Sequence, residues 1–335
     1  MTIQGLACLL ALAIVAACEA PAGGAWPRQG VADRKEAKPS ATAVTASDLR
    51  LHASVERDSF LVGEPVYLEL RLENTGRQSH RVFGSLDPSD GAVEVLVMDP
   101  NGREHHFVPL VETEQDESIM VDLGPSAAVG AVAPVFFGAN GWTFPSPGRY
   151  GVTAVYRTKA RDAQVMEVRS AVLNVEVRAS ADGAGEFLAG GSPPSLEAGK
   201  FLTWQAGDHL TAGRAHLENL LTRYPRSDLT HYALSALSRS EGTRFLDYRS
   251  RTVRAPNCEL ALARLRGVVD ERLPGYVRMQ NALTRARCAV RARDIAGARA
   301  AIGDVRGMAG ERPEYQGLVA QATELERSLS PQGRQ

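Results

Sequence analysis

The chain has 335 residues, a formal net charge of −1 and four cysteines. About 290 residues follow the N-terminal segments, which is more than one hydrophobic core usually organises. The length therefore excludes a single small domain and predicts two.

An apolar run begins the chain. Residues 6–17 read LACLLALAIVAA, which is too short to cross a bilayer as a helix and fits the apolar part of a secretory signal. The residues Val15-Ala16-Ala17-Cys18 resemble the bacterial lipobox, in which small residues precede a cysteine that receives a lipid. The resemblance implies a signal peptide over residues 1–17 and lipidation, with palmitate among the acyl chains, at Cys18.

The same resemblance implies a location in the cell envelope. Glu19 follows Cys18, where aspartate is associated with retention at the inner membrane, so the outer membrane of a diderm bacterium is favoured. The N-terminal segment MTIQG departs from the usual pattern because it has no lysine or arginine. The alternative is a plain secretory signal, cleaved at Ala17 or near Ala25.

A segment rich in alanine, proline, glycine and serine follows Cys18. It has a single aromatic residue and buries too little apolar surface to offset the entropy of ordering it. Residues 18–47 are therefore predicted to be a flexible tether.

Residues 48–178 alternate apolar and polar positions with the period of half-buried strands. Segments such as ENTGRQ, DPSDG and DPNG between them supply turn residues. Short strands at this spacing predict an all-β sandwich. The clearest strand segments are residues 49–56, 65–74, 92–99, 104–110, 150–158 and 171–178.

Two stretches carry a family resemblance. FLVGEPVYLELRLENTG and, far downstream, FPSPGRYGVTAVY resemble bacterial immunoglobulin-like domains. In that family a tyrosine at the start of the penultimate core strand returns its hydroxyl to nearby backbone, and Tyr150 matches it. The first stretch also resembles a small family of β-sandwich proteinase inhibitors, which gives an alternative function.

An acidic run interrupts this region at residues 112–118. Its carboxylates are typical of calcium ligands, and the alternative is a solvated loop without a ligand.

A helical pattern follows a linker predicted over residues 179–196. Leu210, Leu217, Leu220, Leu221 and Tyr224 have helical spacing, so residues 197–329 are predicted to form an all-α domain and residues 330–335 a disordered tail. The segments LLTRYPRSDLTHYAL and ALTRARCAVRARDIAGARAAIGDV resemble tetratricopeptide-type (TPR-like) repeats. The resemblance implies a degenerate helical-repeat-like bundle.

Two cysteines lie in this helical region. Asn257 is a good N-cap, so Cys258 is predicted to begin a helix that ends near Arg272, and Pro274 begins the turn to a returning helix. An antiparallel hairpin would bring Cys258 and Cys288 to similar heights, and an oxidising compartment favours a disulfide between them. The alternative is two buried free thiols.

Charge divides between the two parts of the chain. Residues 200–335 hold 22 Lys+Arg and 14 Asp+Glu, a net of +8, whereas residues 1–199 hold 16 and 25, a net of −9. The basic region suits an acidic partner, lipid headgroups or the β domain. Nucleic acid is not expected as a partner outside the cytoplasm.

No recognised catalytic motif is found in the sequence, and no cofactor or resident metal is predicted. His105 and His106 are adjacent on a strand and so point to opposite faces, although His80 could join one of them across the sheet. His209 and His216 are predicted to share a helical face near Glu218. An unrecognised metal-dependent hydrolase is therefore a further alternative.

These observations predict a non-enzymatic lipid-anchored protein of the periplasm or outer membrane, with an immunoglobulin-like domain and a TPR-like domain that binds envelope proteins. Aromatic residues and arginine contribute most at interfaces. On that basis the predicted binding surface comprises Tyr224, His231, Tyr232, Arg239, Arg244 and Tyr248.

Overall fold

The computed structural model describes residues 44–45, 48–113, 119–159, 165–204, 207–247 and 251–329. Thr42–Gln335 form one compact unit. In the described part of the chain, no helix is long and apolar enough to cross a membrane. Several predictions fall outside the described residues: the signal peptide, Cys18, most of the tether, most of the acidic run, Tyr248 and the C-terminal tail.

The N-terminal part of the unit is rich in β-strands. The predicted tether is wrong at its end, because Val44 and Thr45 already pair in a strand with Met166 and Glu167. The strands in the described ranges are β1 (Val44–Thr45), β2 (Leu49–Ser54), β3 (Ser59–Leu61), β4 (Tyr67–Asn74), β5 (His80–Phe83), β6 (Val93–Met98), β7 (Glu104–Phe107), β8 (Met120–Leu123), β9 (Ala128–Pro134), β10 (Phe137–Gly138), β11 (Gly141–Trp142), β12 (Gly148–Lys159), β13 (Val165–Arg169) and β14 (Leu173–Arg178).

The largest sheet is organised around β12. One edge of β12 pairs with β6, which in turn pairs with β7, and all of these pairings are antiparallel. Along the other edge, β12 pairs antiparallel with β14 and then with β13. Smaller sheets have the orders β2-β4-β9 and β5-β8, and β10 and β11 form a short hairpin.

Strand β4 shows how the alternating pattern becomes buried on both faces. Leu68, Leu70 and Leu72 are fully buried in the core, as period-two alternation predicts. The opposite face carries Tyr67 and Glu69, which are also buried, at 8% and 7% exposure. Their burial is explained by the helical region, which covers this face of the sheet.

The C-terminal part is helical. The helices in the described ranges are α1 (Ala184–Ala189), α2 (Pro193–Trp204), α3 (Thr211–Arg223), α4 (Leu229–Gly242), α5 (Cys258–Leu265), α6 (Gly275–Ala292), α7 (Ile295–Ala309) and α8 (Gln316–Ser328). Asn257 caps α5 by accepting a hydrogen bond from Leu260 N (3.0 Å), and Asp294 caps α7 in the same way through Gly297 N (2.9 Å). Strands β15 (Phe245–Asp247) and β16 (Thr252–Arg254) form a hairpin between α4 and α5.

The predicted linker over residues 179–196 is wrong. It contains α1 and the start of α2, and Ala184 and Leu188 of α1 are fully buried. Gly185 lies so close to the β region that an added Cβ would be 2.5 Å from Val62 O. The segment that joins the two regions therefore has buried side chains and close backbone packing against the β region.

The two regions also share a hydrophobic core, which corrects the expectation of separately organised domains. Core residues of the sheets, such as Val135 and Phe137, are continuous with Phe201, Leu217 and Leu237 of the helices. An added Cβ on Gly199 of α2 would overlap the Phe137 ring, so the helix and this residue are in direct contact. The molecule therefore consists of a β-rich part and a helical part with one joint core.

Buried polar clusters cross the same junction. The Glu64 carboxylate in the β region forms an ion pair with Arg57 and accepts a hydrogen bond from the Tyr232 hydroxyl of α4 (2.8 Å). A second cluster joins Glu69 of β4 to the hydroxyl of Tyr315 and to the guanidinium of Arg312 (2.6 Å). Because buried charges require partners, these contacts favour a single arrangement of the two parts.

Candidate functional site

The structure buries two of the six residues of the predicted binding surface and leaves two more half-buried. The prediction is wrong for Tyr232 and His231 of α4, which are 2% and 9% exposed. Arg239 is half-buried, and Tyr224 is half-buried with its ring 5.4 Å from that of Phe187. Arg244 alone among the described members is exposed, so the six residues do not form one surface.

Burial changes the pKa of two of these residues, Tyr232 and Arg239. Burial and the neighbouring Glu64 carboxylate raise the pKa of Tyr232 well above its usual value, so the hydroxyl remains a donor. Burial lowers the pKa of Arg239, against the opposing effects of Tyr276 and Tyr67. Tyr232 therefore links α4 to the β region and is not available to a partner.

The histidines do not converge on a metal site. His105 and His106 are exposed on β7, whereas His80 lies on β5, which pairs with β8 in another sheet. His216 Nε2 lies 3.0 Å from Phe187 O. In the described ranges, no group of three or more His, Cys, Asp or Glu residues could hold a metal ion.

The prediction that His209 and His216 share a helical face is wrong. Helix α3 begins at Thr211, and His209 precedes it with its ring 6.3 Å from that of Trp204. The His216 ring stacks on Phe187 at 4.3 Å, and burial lowers its pKa.

Cys258 and Cys288 lie at disulfide distance, with their Cα atoms 5.3 Å apart. The predicted length of the first helix is wrong, because α5 ends at Leu265 and not near Arg272. Gly267 and the β-branched pair that follows it disfavour helix there. The returning helix α6 does begin at the expected turn.

An apolar groove lies between the β region and the helices. It encloses about 790 Å³ of empty space, including the part that is open to solvent. Most of its lining is apolar or aromatic, and Asp87 is the charged residue in that lining. The lining residues are Asp87, Pro88, Ser89, Phe107, Pro109, Leu110, Val111, Val132, Ala133, Pro134, Phe137, Thr203, Trp204 and Tyr276.

One wall of the groove is the segment after β7. Pro109 has no backbone N–H to continue a strand, so the chain leaves the sheet. Val108 O accepts a hydrogen bond from Ala139 N (2.8 Å), and Thr113 N donates to Ser89 O (2.7 Å). The segment is thus fixed at both ends, with Val111 at its outer side.

The end of α2 and the start of α6 contribute another part of the lining. Trp204 is the last residue of α2 and is 41% exposed, and Val111 of the same lining is 54% exposed. Tyr276 contributes its ring from the first turn of α6, where it packs 5.0 Å from the ring of Tyr67. Two large apolar side chains of the lining therefore remain exposed to solvent.

Sequence reasoning did not identify this groove. Its residues come from distant parts of the chain, and Phe107 to Val111 had been predicted mainly as strand. A useful signal was the order Phe107-Val108-Pro109-Leu110-Val111, in which a proline follows strand residues and large apolar residues continue beyond it. A sequence of this kind predicts residues that lie outside the sheet but still contact other apolar side chains.

No family model matches the chain, and no curated protein matches it. Similar solved structures include a CARDB domain from Pyrococcus furiosus, at 16% identity over 41% of this chain and 95% of that chain, with a TM-score of 0.21. The putative ApaA protein from Bordetella pertussis has 15% identity over 40% of this chain and 97% of that chain, with a TM-score of 0.24. A β-glucosidase from Listeria innocua has 16% identity over 39% of this chain and 16% of that chain, with a TM-score of 0.22. At these scores the likenesses carry no argument about function.

Proposed function

We propose that this chain is a non-enzymatic, lipid-anchored protein of the bacterial cell envelope that binds a protein partner in the groove between its β-rich and helical parts. The observation that carries the proposal is the apolar groove with Val111 and Trp204 exposed at its edge. Exposed apolar side chains that border an apolar concavity are typical of binding surfaces.

The occupant proposed for the groove is an extended segment of a partner protein. The lining offers apolar and aromatic side chains together with the carboxylate of Asp87, and exposed Glu112 follows Val111. A segment with apolar side chains beside a lysine or arginine complements that lining in both polarity and charge. Trp204 is the expected anchor, because tryptophan contributes strongly to binding when a partner covers it.

The finer fold assignment is part of the proposal. An immunoglobulin-like arrangement of the β part is supported by Tyr150, whose hydroxyl donates to Ser146 O four residues earlier (2.9 Å). A TPR-like arrangement of the helical part is supported by the capped turn at Asp294 between α6 and α7. Such folds carry many unrelated functions, so the proposed binding site is argued from the groove and not from the fold.

The groove is tested by comparing proteins that co-purify with the full-length chain and its variants. Trp204→Glu adds a charge at the groove, whereas Val172→Glu adds the same charge at a residue that is 63% exposed and is not in the lining. We expect an envelope protein to co-purify with the unmodified chain and with Val172→Glu but not with Trp204→Glu. Equal recovery with all three proteins would overturn the groove as the binding site.

The lipid anchor has a separate test. If Cys18 carries the lipid, metabolic labelling of the protein with palmitate is lost in Cys18→Ala. Cys8→Ala is the matched control, because that cysteine lies within the apolar run of the signal and is expected to leave the labelling unchanged. Unchanged palmitate labelling of Cys18→Ala would contradict lipid anchoring.

A further inference from the structure

The hairpin of β15 and β16 carries an exposed apolar pair that the groove does not use. Leu246 and Val253 are directly opposite each other on the two strands. Their side chains lie on the same face of the hairpin, and they are 42% and 45% exposed. An isolated hairpin is at best marginally stable in water, so this one needs support from the rest of the molecule.

The helices hold the base of the hairpin in place. Arg254 donates through Nε to Asp208 Oδ2 (2.5 Å) and through Nη2 to Ser240 O (2.7 Å). On the face opposite Leu246, the ring of Phe245 lies 6.2 Å from that of His209. These contacts fix one face of the hairpin, and the face with the apolar pair remains in solvent.

The charges around the pair are mainly positive. Residues 243–254 contain four arginines and a single acidic residue, Asp247. Arg244 and Arg251, two residues before Leu246 and Val253 respectively, are both exposed. Arg254 is the arginine engaged with Asp208, so the exposed arginines are available to an anionic surface. Guanidinium groups are suited to phosphate because they can donate two parallel hydrogen bonds.

We propose that this hairpin, through the exposed pair Leu246 and Val253 and the flanking exposed Arg244 and Arg251, docks on an anionic phospholipid bilayer. Leu246 and Val253 enter the boundary between headgroups and acyl chains, and the two arginines contact lipid phosphates. The combination of exposed apolar side chains with adjacent arginines is typical of peripheral membrane contacts. The inference is independent of the groove and of lipidation at Cys18.

The test measures flotation of the full chain carrying Cys18→Ala with lipid vesicles. Vesicles of equal parts phosphatidylglycerol and phosphatidylcholine are compared with vesicles of phosphatidylcholine alone. We expect stronger binding to the anionic vesicles and a decline as salt is raised. Equal binding to both vesicle types would overturn the anionic surface as the docking partner.

Variants of the same protein localise the contact. Leu246→Asp combined with Val253→Asp is expected to lower the partition coefficient on anionic vesicles more than about tenfold, since it removes two apolar contacts and adds two repelled charges. Val172→Asp, at an exposed valine elsewhere, is the control and is expected to change it less than about twofold. If the double variant binds as the control does, the hairpin is not the contact.

A second pair of variants avoids any effect of aspartate on folding of the hairpin. Arg244→Ala and Arg251→Ala are each expected to lower the partition coefficient about fivefold, the loss that corresponds to one basic residue near an anionic surface. The far-UV circular dichroism spectrum and the urea midpoint of each variant should match those of the parent. Unchanged partition of both variants would contradict the phosphate contacts.

Discussion

The hydroxyl of Tyr232 provides a direct test of how the helices are joined to the β region. It donates to Glu64 Oε1 at 2.8 Å and accepts from Arg57 Nη2 at 2.9 Å. The Glu64 side chain is 4% exposed, so water cannot replace a lost donor. Tyr232→Phe removes this one oxygen atom and leaves the ring in place.

The expected cost follows from those contacts. A hydrogen bond to a charged group contributes roughly 1.5–3 kcal/mol, and a buried acceptor that loses a donor bears a desolvation penalty. Glu64 keeps its ion pair with Arg57 and its hydrogen bond from Leu61 N (2.8 Å), which limits the loss. We therefore expect Tyr232→Phe to lower the free energy of unfolding by about 1–2 kcal/mol.

Urea denaturation of the full chain measures this change. Helix content, followed by circular dichroism, and the fluorescence of Trp142 in the β region, recorded with Trp26→Phe and Trp204→Phe in every protein compared, should report the same lower midpoint, because the two parts share a core. Tyr224→Phe is the control, since that half-buried tyrosine contacts Phe187 through its ring, and we expect a change within about 0.5 kcal/mol. If Tyr232→Phe is as stable as the control, or if the two probes separate, the reasoning about the junction is refuted.

Further measurements test packing, the cysteine pair and a buried histidine. Gly213→Ala should destabilise the protein by about 1–3 kcal/mol, because the added Cβ would lie 2.5 Å from the Glu197 backbone. Gly303→Ala should stabilise the protein by about 0.5–1 kcal/mol, because no atom lies within 4 Å of the added Cβ. Equal urea midpoints for the two variants would contradict this reasoning. The cysteines are 30 residues apart, so a disulfide should contribute about 3.5 kcal/mol, and a reductant should lower the thermal midpoint of the parent but not of Cys288→Ser. Burial lowers the pKa of His216, so the unfolded chain binds a proton at this residue more readily than the folded chain does. The contribution of neutral, buried His216 to the free energy of unfolding is therefore complete above about pH 6.5 and is lost as the pH falls below that value. His216→Gln should reduce the slope of the free energy of unfolding against pH below about pH 6.5. An unchanged slope would contradict the assignment of this pH dependence to His216.

The elements with a strong local pattern were the ones that sequence reasoning located. The alternating apolar residues predicted for β4 and β6 are buried in the core, and the predicted cap at Asn257 acts on its own neighbours. Tyr150 was also correctly interpreted, because its hydroxyl partner is only four residues away in sequence.

The predictions were wrong where contacts between residues that are distant in sequence determine which side chains are buried. Residues 179–196 contain glycines and prolines that are typical of a linker, but α1 within that segment buries Ala184, Gly185, Leu188 and Ala189. Tyr232 was predicted to be exposed because aromatic residues are common in interfaces. Its actual partner, Glu64, is 168 residues away in sequence, and no local pattern indicates such a pair. The groove was missed for the same reason.

The most direct test of the central claim is site-specific photo-crosslinking in cells from positions on the groove. A photoreactive amino acid replaces Val111 in the full-length protein, and in a second protein it replaces the control residue Val172, which is 63% exposed outside the groove. The account predicts that one envelope protein is crosslinked from Val111 and not from Val172, and that Trp204→Glu abolishes the crosslink. The same products from both positions, or none from either, would contradict a protein-binding role for the groove.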